Sequence, residues 1–253
     1  MPASTRKTTV LVTGGNNGIG LAACQLFAAQ PNYHCIMASR SLDKGQKALS
    51  SIQSSNLDPN STISLVQLDI TSDASVTAAV KEIETQQGHL DILINNAGIC
   101  PMDFSRASLR DCLETNAISP AMVTQAFAPL LLKSNAPRVI YVSSALGSIT
   151  KRGDSKDIAY DQAYKAYRTS KAALNMLAAC DAWEYEGKMK VFAYCPGYVI
   201  SDLAGQREMK EKAGIAKSPD GSARGLLAIA EGKRDEEKGL FLHDEKAGEL
   251  YPW

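Results

Sequence analysis

The sequence predicts an α/β protein with a single doubly wound parallel sheet and helices on both of its faces. Short apolar runs rich in Val and Ile recur along the chain, as in strands that are buried on both sides. Helical segments alternate with these runs, and polar or Gly-containing turns follow them. The 253 residues contain no linker composition and no internal repeat, so we expect a single domain over residues 1–253.

Composition excludes several classes of protein. Apolar residues make up 45% and charged residues 21% of the chain, as is ordinary for a globular protein. Lys plus Arg and Asp plus Glu both total 27, so no net charge indicates a nucleic-acid or membrane partner. The six cysteines form no C-x-x-C pair, which argues against a metal site and for reduced thiols. No segment has the pattern of a signal peptide or a membrane span, and we expect a cytoplasmic protein.

The first strand and the turn after it have the pattern of a dinucleotide phosphate site. Residues 9–13 are a β-branched run, residues 14–20 a Gly-rich turn and residues 21–29 a helical pattern. Glycines let the backbone approach a pyrophosphate, and a helix N-terminus offers free N–H groups and a positive dipole end. The alternative is a Gly-rich turn that binds no ligand. We assign to the cofactor the turn residues Gly14, Asn16, Asn17, Gly18, Ile19 and Gly20.

The end of the second strand, residues 34–39, bears on the choice of cofactor. NAD sites usually have Asp or Glu about 20 residues beyond the glycines, where a carboxylate binds the ribose 2′-hydroxyl. Here the strand ends at Arg40, and Lys44 follows one helical turn later. Cations at this place suit a 2′-phosphate, so NADP(H) is favoured over NAD(H). The alternative is a solvated arginine at a strand end.

The next two strands also end in polar residues. A helix over residues 43–54 precedes strand three, residues 63–68, which stops at Asp69. The Asp69 carboxylate can accept from an adenine amino group or cap the following helix, residues 73–87. Strand four, residues 90–94, is followed by small and amide residues that let the backbone lie against a ligand, namely Asn95, Asn96, Ala97 and Gly98.

An interior amide lies in the long helical stretch that follows. Residues 102–132 are largely helical, with interruptions at Pro120 and Pro129, and Asn116 lies among apolar residues there. A buried Asn is costly unless its hydrogen bonds are met. Asn116 is therefore expected to have a function, either structural or as the holder of a water molecule.

The last part of the sheet places a hydroxyl where such sheets keep their ligands. Strand five, residues 138–142, ends at Ser143 and Ser144. Strand six, residues 191–194, ends in the turn 195–201. Successive strand residues point to opposite faces, so only one of the two serines can face a substrate. A helix over residues 220–230 and a strand over residues 239–242 complete the alternation.

Tyr167 and Lys171 form a candidate acid/base pair. They lie four residues apart, which places them on one face of a helix. A phenol has an ordinary pKa of about 10, and a fixed ammonium nearby lowers that pKa toward a useful range. An exposed helical pair is the alternative for such a spacing taken alone. The neighbouring pair Tyr164 and Arg168 lies outside the Tyr-x-x-x-Lys pattern and receives no catalytic role.

Together these motifs resemble those of the short-chain dehydrogenases/reductases, from about residue 9 onward. The matching residues are Thr13-Gly14-x-x-x-Gly18-x-Gly20, Asn95-Asn96-Ala97-Gly98, Asn116, Ser144, Tyr167-x-x-x-Lys171 and Pro196-Gly197. Within the family the chain is most similar to the NADPH-dependent carbonyl reductases, through the Gly-Gly-Asn-x-Gly-Ile-Gly turn, the Ser39-Arg40 strand end, Gly45-Gln46 and the segment 195–199. The resemblance implies a Rossmann-type fold and an enzyme that reduces a ketone or aldehyde to an alcohol with NADPH.

The resemblance implies a role for each catalytic residue. Tyr167 would protonate the carbonyl oxygen as hydride arrives from the nicotinamide. Lys171 would lower the pKa of Tyr167 and bind the nicotinamide ribose. Ser144, which the family pattern selects over Ser143, would hydrogen-bond the substrate oxygen and stabilise its charge. Asn116 would hold a water molecule that links Lys171 to solvent.

The resemblance also implies cofactor contacts beyond the Gly-rich turn. Val199 and Ser201 would contact the nicotinamide carboxamide, and the family usually has Thr where Ser201 stands. Asp69 would face the adenine, and Asn96 the adenosine side of the cofactor. The full set beyond the turn is Arg40, Lys44, Asp69, Asn96, Ala97, Gly98, Tyr167, Lys171, Pro196, Gly197, Val199 and Ser201.

Two segments near the expected site are predicted to be exposed. The interval between Ser144 and Tyr167 is longer than in a minimal family member, and we expect a flap over about residues 147–160. In the carbonyl reductases a longer insertion here covers the helices used for tetramerisation, so a monomer or homodimer is favoured over a tetramer. Residues 203–217 are predicted to be a substrate lid, with an ordinary surface helix as the alternative.

Two other functions compete with that of a carbonyl reductase. One is a non-catalytic NADP(H)-binding regulatory or scaffold protein, against which the presence of Asn116, Ser144, Tyr167 and Lys171 argues. The other is an NAD-dependent secondary-alcohol dehydrogenase, against which Arg40 argues. The partner is expected to be a small-molecule carbonyl compound. Its identity depends on the loops 100–105, 146–149 and 198–206, whose shape the sequence does not give.

Overall fold

The computed structural model describes residues 6–55, 57–157, 160–161, 163–205, 207–214, 216–243 and 248–253. Within them, seven strands form one sheet: β1 Thr8–Val12, β2 Tyr33–Ser39, β3 Thr62–Gln67, β4 Ile92–Asn95, β5 Arg138–Val142, β6 Lys190–Cys195 and β7 Phe241–His243. All neighbouring strands are parallel, in the order β3-β2-β1-β4-β5-β6-β7. The predicted parallel sheet is confirmed.

Nine helices connect the described strands. They are α1 Gly18–Ala28, α2 Leu42–Gln53, α3 Asp73–Gln87, α4 Arg106–Leu113, α5 Ser119–Leu131, α6 Ile149–Gly153, α7 Lys165–Glu184, α8 Arg207–Ala213 and α9 Pro219–Ala230. One turn of π-helix, Glu114–Ile118, joins α4 to α5. Short 3₁₀ turns occupy Ala145–Gly147, Leu203–Gly205 and Asp235–Glu237.

Helices cover both faces of the sheet, because side chains on each strand alternate between two apolar cores. Leu11 of β1 packs in a core that also holds residues of α3, α5 and α7. Its neighbours Val10 and Val12 pack in the other core, with residues of α1, α2 and α9. Burial on both faces explains why the strands are almost entirely apolar. This is the predicted doubly wound, Rossmann-type fold.

The strand order creates a crevice at one edge of the sheet. β1 pairs with β2 on one side and with β4 on the other. The chain therefore extends the sheet first on one side of β1, through β2 and β3, and then on the other side, from β4 onward. In open parallel sheets, ligands bind at such a switch point, outside the carboxyl ends of the strands. The turns that follow β1 and β4 therefore face each other across the expected ligand site.

The two prolines predicted to interrupt the long helical stretch do not break it. Pro120 lies in the first turn of α5, directly after a helical turn that precedes it, and Pro129 lies near the end of α5 without ending it. The irregularity is instead the π-turn Glu114–Ile118, which contains Asn116. A π-turn adds one residue to a helical turn and is frequent at functional sites.

The predicted flap and lid contain short helices. The flap includes the 3₁₀ turn Ala145–Gly147 and α6, and residues 158–159 of it lie outside the described residues. The lid includes the 3₁₀ turn Leu203–Gly205 and α8, and residues 206 and 215 lie outside the described part. Their roles as a flap and a substrate lid stay predictions.

The tail, residues 251–253, docks on the flap. The Trp253 carbonyl accepts hydrogen bonds from Thr150 N at 3.2 Å and Thr150 Oγ1 at 2.8 Å. The Trp253 ring stacks on Phe241 of β7, with ring centroids 5.5 Å apart. The flap is thereby joined to the edge strand of the sheet.

The outer faces of α5 and α7 carry exposed apolar side chains, among them Met122, Met176 and Trp183. The flap was expected to cover these helices, but it leaves these three positions exposed. The preference for a monomer or homodimer stays a prediction. None of the described helices is both long enough and apolar enough to cross a membrane.

Candidate active site

A cavity of about 810 Å³ lies outside the carboxyl ends of the strands. The turns after β1, β2, β3, β4 and β6 line it, together with the end of β5 and α7. It brings together fifteen of the predicted site residues: Gly14, Asn16, Asn17, Gly18, Ile19, Arg40, Lys44, Asp69, Asn96, Ala97, Gly98, Tyr167, Lys171, Pro196 and Ser201. Its volume is within the range of cofactor and ligand pockets.

Three predicted cofactor residues do not line this cavity in the described structure. A Cβ on Gly20 would lie 2.4 Å from the Gly14 carbonyl oxygen, so Gly20 allows close packing behind the turn. Gly197 donates its N–H to the Cys195 thiol. Val199 forms a bridge with Lys217. These residues support the walls of the cavity.

The Gly-rich turn presents the N-terminus of α1 to the cavity. Gly14 and Gly18 have φ angles of +63° and +52°, which favour glycine. Asn17 caps α1, since its Oδ1 accepts from Gly18 N at 2.6 Å. Its Nδ2 donates to Asp202 Oδ2 at 2.6 Å, so the chain after β6 lies across the turn. A Cβ on Gly18 would still be 3.5 Å from Ser201 Cβ.

Thr13 and Asn96 join the turns after β1 and β4. The Thr13 hydroxyl accepts from Asn96 N at 2.9 Å and Ala97 N at 3.1 Å. Asn96 Nδ2 donates to the carbonyl oxygens of Thr13 at 2.8 Å and Gly14 at 3.4 Å. The Asn96 amide donors are therefore used within the protein. Its predicted position beside the adenosine remains an expectation.

The end of the cavity beyond β2 is cationic. Arg40 and Lys44 are both exposed and line it. Within the described part of the chain, neither side chain has an ion-pair or hydrogen-bond partner. Asp69, at the same end, is already bonded, since its Oδ1 accepts from Thr71 N at 3.1 Å and Thr71 Oγ1 at 2.8 Å. This end can bind an anion without first breaking an internal ion pair.

Tyr167 and Lys171 lie together on the buried face of α7. They are 7% and 4% exposed, respectively. Lys171 Nζ lies 5.7 Å from the centroid of the Tyr167 ring and donates to the carbonyl oxygen of Val142 at 2.7 Å. The Tyr167 hydroxyl is hydrogen-bonded to Ser144. The helical spacing thus brings a phenol, a hydroxyl and an ammonium to one place in the site.

Burial controls the protonation of the pair. It raises the pKa of the Tyr167 phenol far above the usual value, and the hydrogen bond from Ser144 only partly offsets this rise. It lowers the pKa of the Lys171 ammonium to about 8. The expected fall in the Tyr167 pKa is therefore wrong for the protein without cofactor, because loss of hydration on burial raises this pKa.

The Asn116 side chain is hydrogen-bonded to two other segments of the chain. Its Oδ1 accepts from Ile99 N at 2.8 Å, and its Nδ2 donates to Ile99 O at 2.8 Å and Ser170 Oγ at 2.9 Å. It is fully buried and joins the loop after β4 to α7. Both amide hydrogens are thereby bound by protein atoms. Of the two functions expected for Asn116, structural or water-holding, its side chain has the structural one here.

The two serines after β5 face different partners. Ser143 Oγ donates to Asn175 Oδ1, whereas Ser144 Oγ accepts from Leu146 N at 3.2 Å. The next residue, Ala145, donates its N–H to the Cys195 sulfur at 3.1 Å. These bonds fix the turn that carries the Ser144 hydroxyl.

Gly147 and Arg168 hold the turn against α7. A Cβ on Gly147 would lie 2.6 Å from the carbonyl carbon of Lys171, so the turn touches the helix backbone. Arg168 Nη1 donates to Leu146 O at 3.3 Å, and its Nε donates to Ala163 O at 3.2 Å. Arg168 thus has a bracing role that the sequence analysis missed. Its charge suggested a surface residue, and no local pattern marks its burial.

The sequence analysis also missed Lys210 of α8. Its Nζ donates to Leu203 O at 3.1 Å, and Leu203 lines the cavity. The signal was weak, because α8 has the composition of a surface helix. Only the fold of residues 201–205 brings this ammonium to the site.

Comparisons with known proteins agree with this geometry. A sequence model of the family described as short chain dehydrogenase matches residues 8–212. The chain is 34% identical over 267 residues to short-chain dehydrogenase anuI of Penicillium roqueforti, covering 99% of this chain and 100% of that relative. It is 25% identical over 295 residues to (+)-neomenthol dehydrogenase of Arabidopsis thaliana, covering 95% and 97% of the two chains.

A solved structure is similar over the whole fold. It is the NADPH-bound carbonyl reductase from chicken fatty liver, with a TM-score of 0.82 and 32% sequence identity. The match covers 98% of this chain and 100% of that one. The similarity of the two proteins therefore extends along almost the entire sequence. The chain belongs to the short-chain dehydrogenase/reductase family, the oxidoreductases that act on CH–OH and C=O groups with a nicotinamide cofactor.

Proposed function

We propose that this enzyme reduces a ketone or aldehyde to an alcohol with NADPH, with Tyr167 as the general acid. The observation that carries the proposal is the juxtaposition of Tyr167, Ser144 and Lys171 beside a cavity that also holds the Gly-rich turn. An acid, an oxygen-binding hydroxyl and a phosphate-binding turn are the parts that hydride transfer to a carbonyl requires.

The residues present fit a nicotinamide dinucleotide phosphate. The N-terminus of α1 would hold the diphosphate, because Gly14 and Gly18 leave the backbone open there. Arg40 and Lys44 would bind the 2′-phosphate, since they are exposed cations with no ion-pair partner in the described chain. Ser201 and Val199 would position the carboxamide, and Asp69 the adenine. When bound, the cofactor supplies the hydride.

Tyr167 holds the proton that the reaction needs. Burial keeps the phenol protonated at neutral pH. As negative charge develops on the substrate oxygen, the phenol O–H bond breaks and the proton passes to that oxygen, which leaves a phenolate. The Lys171 ammonium stabilises the phenolate electrostatically, and it would also bind the nicotinamide ribose.

Ser144 and Asn116 complete the proposed site. The Ser144 hydroxyl is already bonded to Tyr167, so it would bind the same substrate oxygen that receives the proton. Since the Asn116 side chain is bonded to Ile99 and Ser170, its contribution would be to fix the loop after β4 beside Lys171. Any water held at Asn116 would then bind its backbone carbonyl oxygen.

Loss of NADPH absorbance measured with a panel of quinones, aromatic ketones and aldehydes tests the proposal. We expect turnover of at least one class with NADPH and much slower turnover with NADH. Tight binding of NADPH without turnover of any carbonyl compound would contradict the enzymatic role and favour a binding protein. Faster turnover with NADH would contradict the choice of cofactor.

A further inference from the structure

The helix α8 places a buried ammonium behind the part of the cavity wall that Ser201 and Leu203 form. Lys210 is only 5% exposed. Its Nζ donates to Leu203 O at 3.1 Å and Ser201 Oγ at 3.4 Å. Both of these residues line the cavity, so the charged end of Lys210 lies immediately behind its wall.

The neighbours that bind this ammonium are uncharged. Within the described residues, no carboxylate lies at ion-pair distance from Lys210. Asp202 acts on Lys210 only at longer range, since its carboxylate accepts from Asn17 at 2.6 Å and lies 3.6 Å from Arg207. Burial lowers the pKa of Lys210. A buried cation without a counter-ion is costly, and a bound anion would offset that cost.

Cys100 interacts electrostatically with Lys210 and also with the proposed catalytic residues Lys171 and Tyr167. The Cys100 thiol lines the cavity, and its pKa, which burial raises to about 11, is pulled down by both Lys210 and Lys171. Cys100 also acts electrostatically on Tyr167. Leu203, whose carbonyl oxygen accepts from Lys210, packs in the same apolar cluster as Tyr167 and Cys100, so Lys210 lies on the side of the cavity that holds the proposed acid.

Apolar side chains adjoin this end of the cavity. Met102 lines it and is 57% exposed. The Tyr198 ring, 48% exposed, has its centroid 5.7 Å from Lys210 Nζ. Exposed apolar and aromatic side chains grouped near a cleft favour an apolar or aromatic ligand body.

We propose that Lys210 binds an anionic oxygen on the substrate, so that the enzyme prefers aromatic carbonyl compounds that carry a carboxylate or an ionised phenol. This inference rests on the proposed reductase function. The cofactor diphosphate is a second source of anionic oxygen, because the turn that carries Gly18 lies near Ser201, whose hydroxyl oxygen is 3.4 Å from Lys210 Nζ. The experiment separates these two sources.

The test compares 4-carboxybenzaldehyde with its methyl ester, which lacks the charge and carries one more methyl group, with NADPH as reductant. We expect Lys210→Met to lower kcat/KM for the carboxylate by about tenfold or more, because a hydrogen bond to a charged group contributes about 1.5–3 kcal/mol. The value for the ester should change less than about twofold, and Lys210→Arg should keep most of the preference. The control is Lys212→Met, because Lys212 lies exposed on the same helix.

Other outcomes would overturn the proposal. An equal loss for both aldehydes, together with weaker NADPH binding in Lys210→Met, would assign Lys210 to the cofactor. An unchanged ratio of the two kcat/KM values would remove any role for Lys210 in charge recognition.

A binding measurement keeps the inference separate from the reductase function. Calorimetry of terephthalate binding to the NADP⁺-loaded protein should show a Kd about tenfold weaker in Lys210→Met than in wild type. If wild type reduces no carbonyl compound of the panel yet shows this difference, the proposed reduction fails while the anion site stands. Equal binding by both proteins, or none by wild type, would overturn the anion site.

Discussion

The Lys171 ammonium donates a 2.7 Å hydrogen bond to the carbonyl oxygen of Val142, the last residue of β5. This bond fixes α7 to the strand that leads into Ser144. It also holds a positive charge in a place with little hydration, which lowers the Lys171 pKa to about 8. The hydrogen bond to Val142 thus stabilises the ammonium, while the burial that comes with it disfavours the charge.

The role of Tyr167 can be tested by removing its hydroxyl. Tyr167→Phe should lower kcat by about 10²- to 10⁴-fold, the usual contribution of a general acid. The Kd for NADPH, followed by fluorescence titration, should stay within about twofold of wild type because the ring is kept. Retained turnover would show that another group donates the proton.

The cost of burying the Lys171 charge can be measured as stability. Lys171→Met should raise the free energy of unfolding at pH 7 by up to about 3 kcal/mol, since each pKa unit corresponds to 1.36 kcal/mol. Between pH 8 and about 10.5 the unfolded wild type binds more protons than the folded form, so wild-type stability rises with pH there. The advantage of Lys171→Met should shrink over that window in urea denaturation of the cofactor-free protein.

The control for this measurement is Lys188→Met, because Lys188 is exposed. That variant should differ little from wild type at either pH. An advantage of Lys171→Met that stays constant from pH 7 to pH 10.5 would contradict the lowered pKa.

Cofactor choice should depend on Arg40. Arg40→Asp should shift the NADPH/NADH ratio of kcat/KM by about a hundredfold toward NADH, because a carboxylate repels a 2′-phosphate and binds a 2′-hydroxyl. The same charge reversal at the exposed Arg224 of α9 should leave the ratio unchanged. A ratio in Arg40→Asp equal to that of wild type would count against the assigned phosphate site.

An ion-pair cluster at the amino ends of β5 and β6 should contribute to stability. Asp235 accepts from Arg138 Nη2 at 2.8 Å and from Lys190. Burial alone would raise the pKa of Asp235, but these hydrogen bonds hold it below its usual value. Asp235→Asn should lower the free energy of unfolding at pH 7 by about 2 kcal/mol.

The pH dependence of that loss has a defined sign. A lowered carboxyl pKa stabilises the fold above the ordinary value of about 3.9, and the contribution is lost as pH falls through the folded pKa. The difference between wild type and Asp235→Asn should therefore shrink only in acid, below about pH 4. Glu84→Gln removes an exposed pair with Lys133 and should cost less than about 1 kcal/mol.

Packing of the turn after Ser144 can be tested with two glycines of the flap. Gly147→Ala should lower both Tm and kcat/KM, because its Cβ would be 2.6 Å from the Lys171 backbone. Gly153→Ala should change neither, since nothing lies within 4 Å of a Cβ there. Equal behaviour of the two variants would show that the turn moves away from α7 without loss.

The sheet could be predicted from the sequence because strands buried on both faces consist of consecutive apolar residues. Val10, Leu11 and Val12 are apolar in succession, which a strand exposed on one face would not be. The glycines after β1 and the four-residue spacing of Tyr167 and Lys171 are local in the same sense. Each can be recognised without knowing what else lies nearby.

Contacts between distant segments left no such record. Asn17 and Asp202 are 185 residues apart, and neither has a neighbour in sequence that indicates the bond. The direction of the Tyr167 pKa shift depends on burial by several elements, so an argument from Lys171 alone gave the wrong sign. Lys210 was missed because its burial depends on the fold of the chain before α8.

The docking of the tail gives the enzyme an optical probe. The chain has two tryptophans, and one of them, Trp183, is exposed on α7. The other, Trp253, stacks on Phe241 while its carbonyl accepts from Thr150 in the flap. Trp183→Phe would therefore leave a single emitter next to the segment that follows Ser144. Its fluorescence would report on that segment in real time during turnover, without any attached dye.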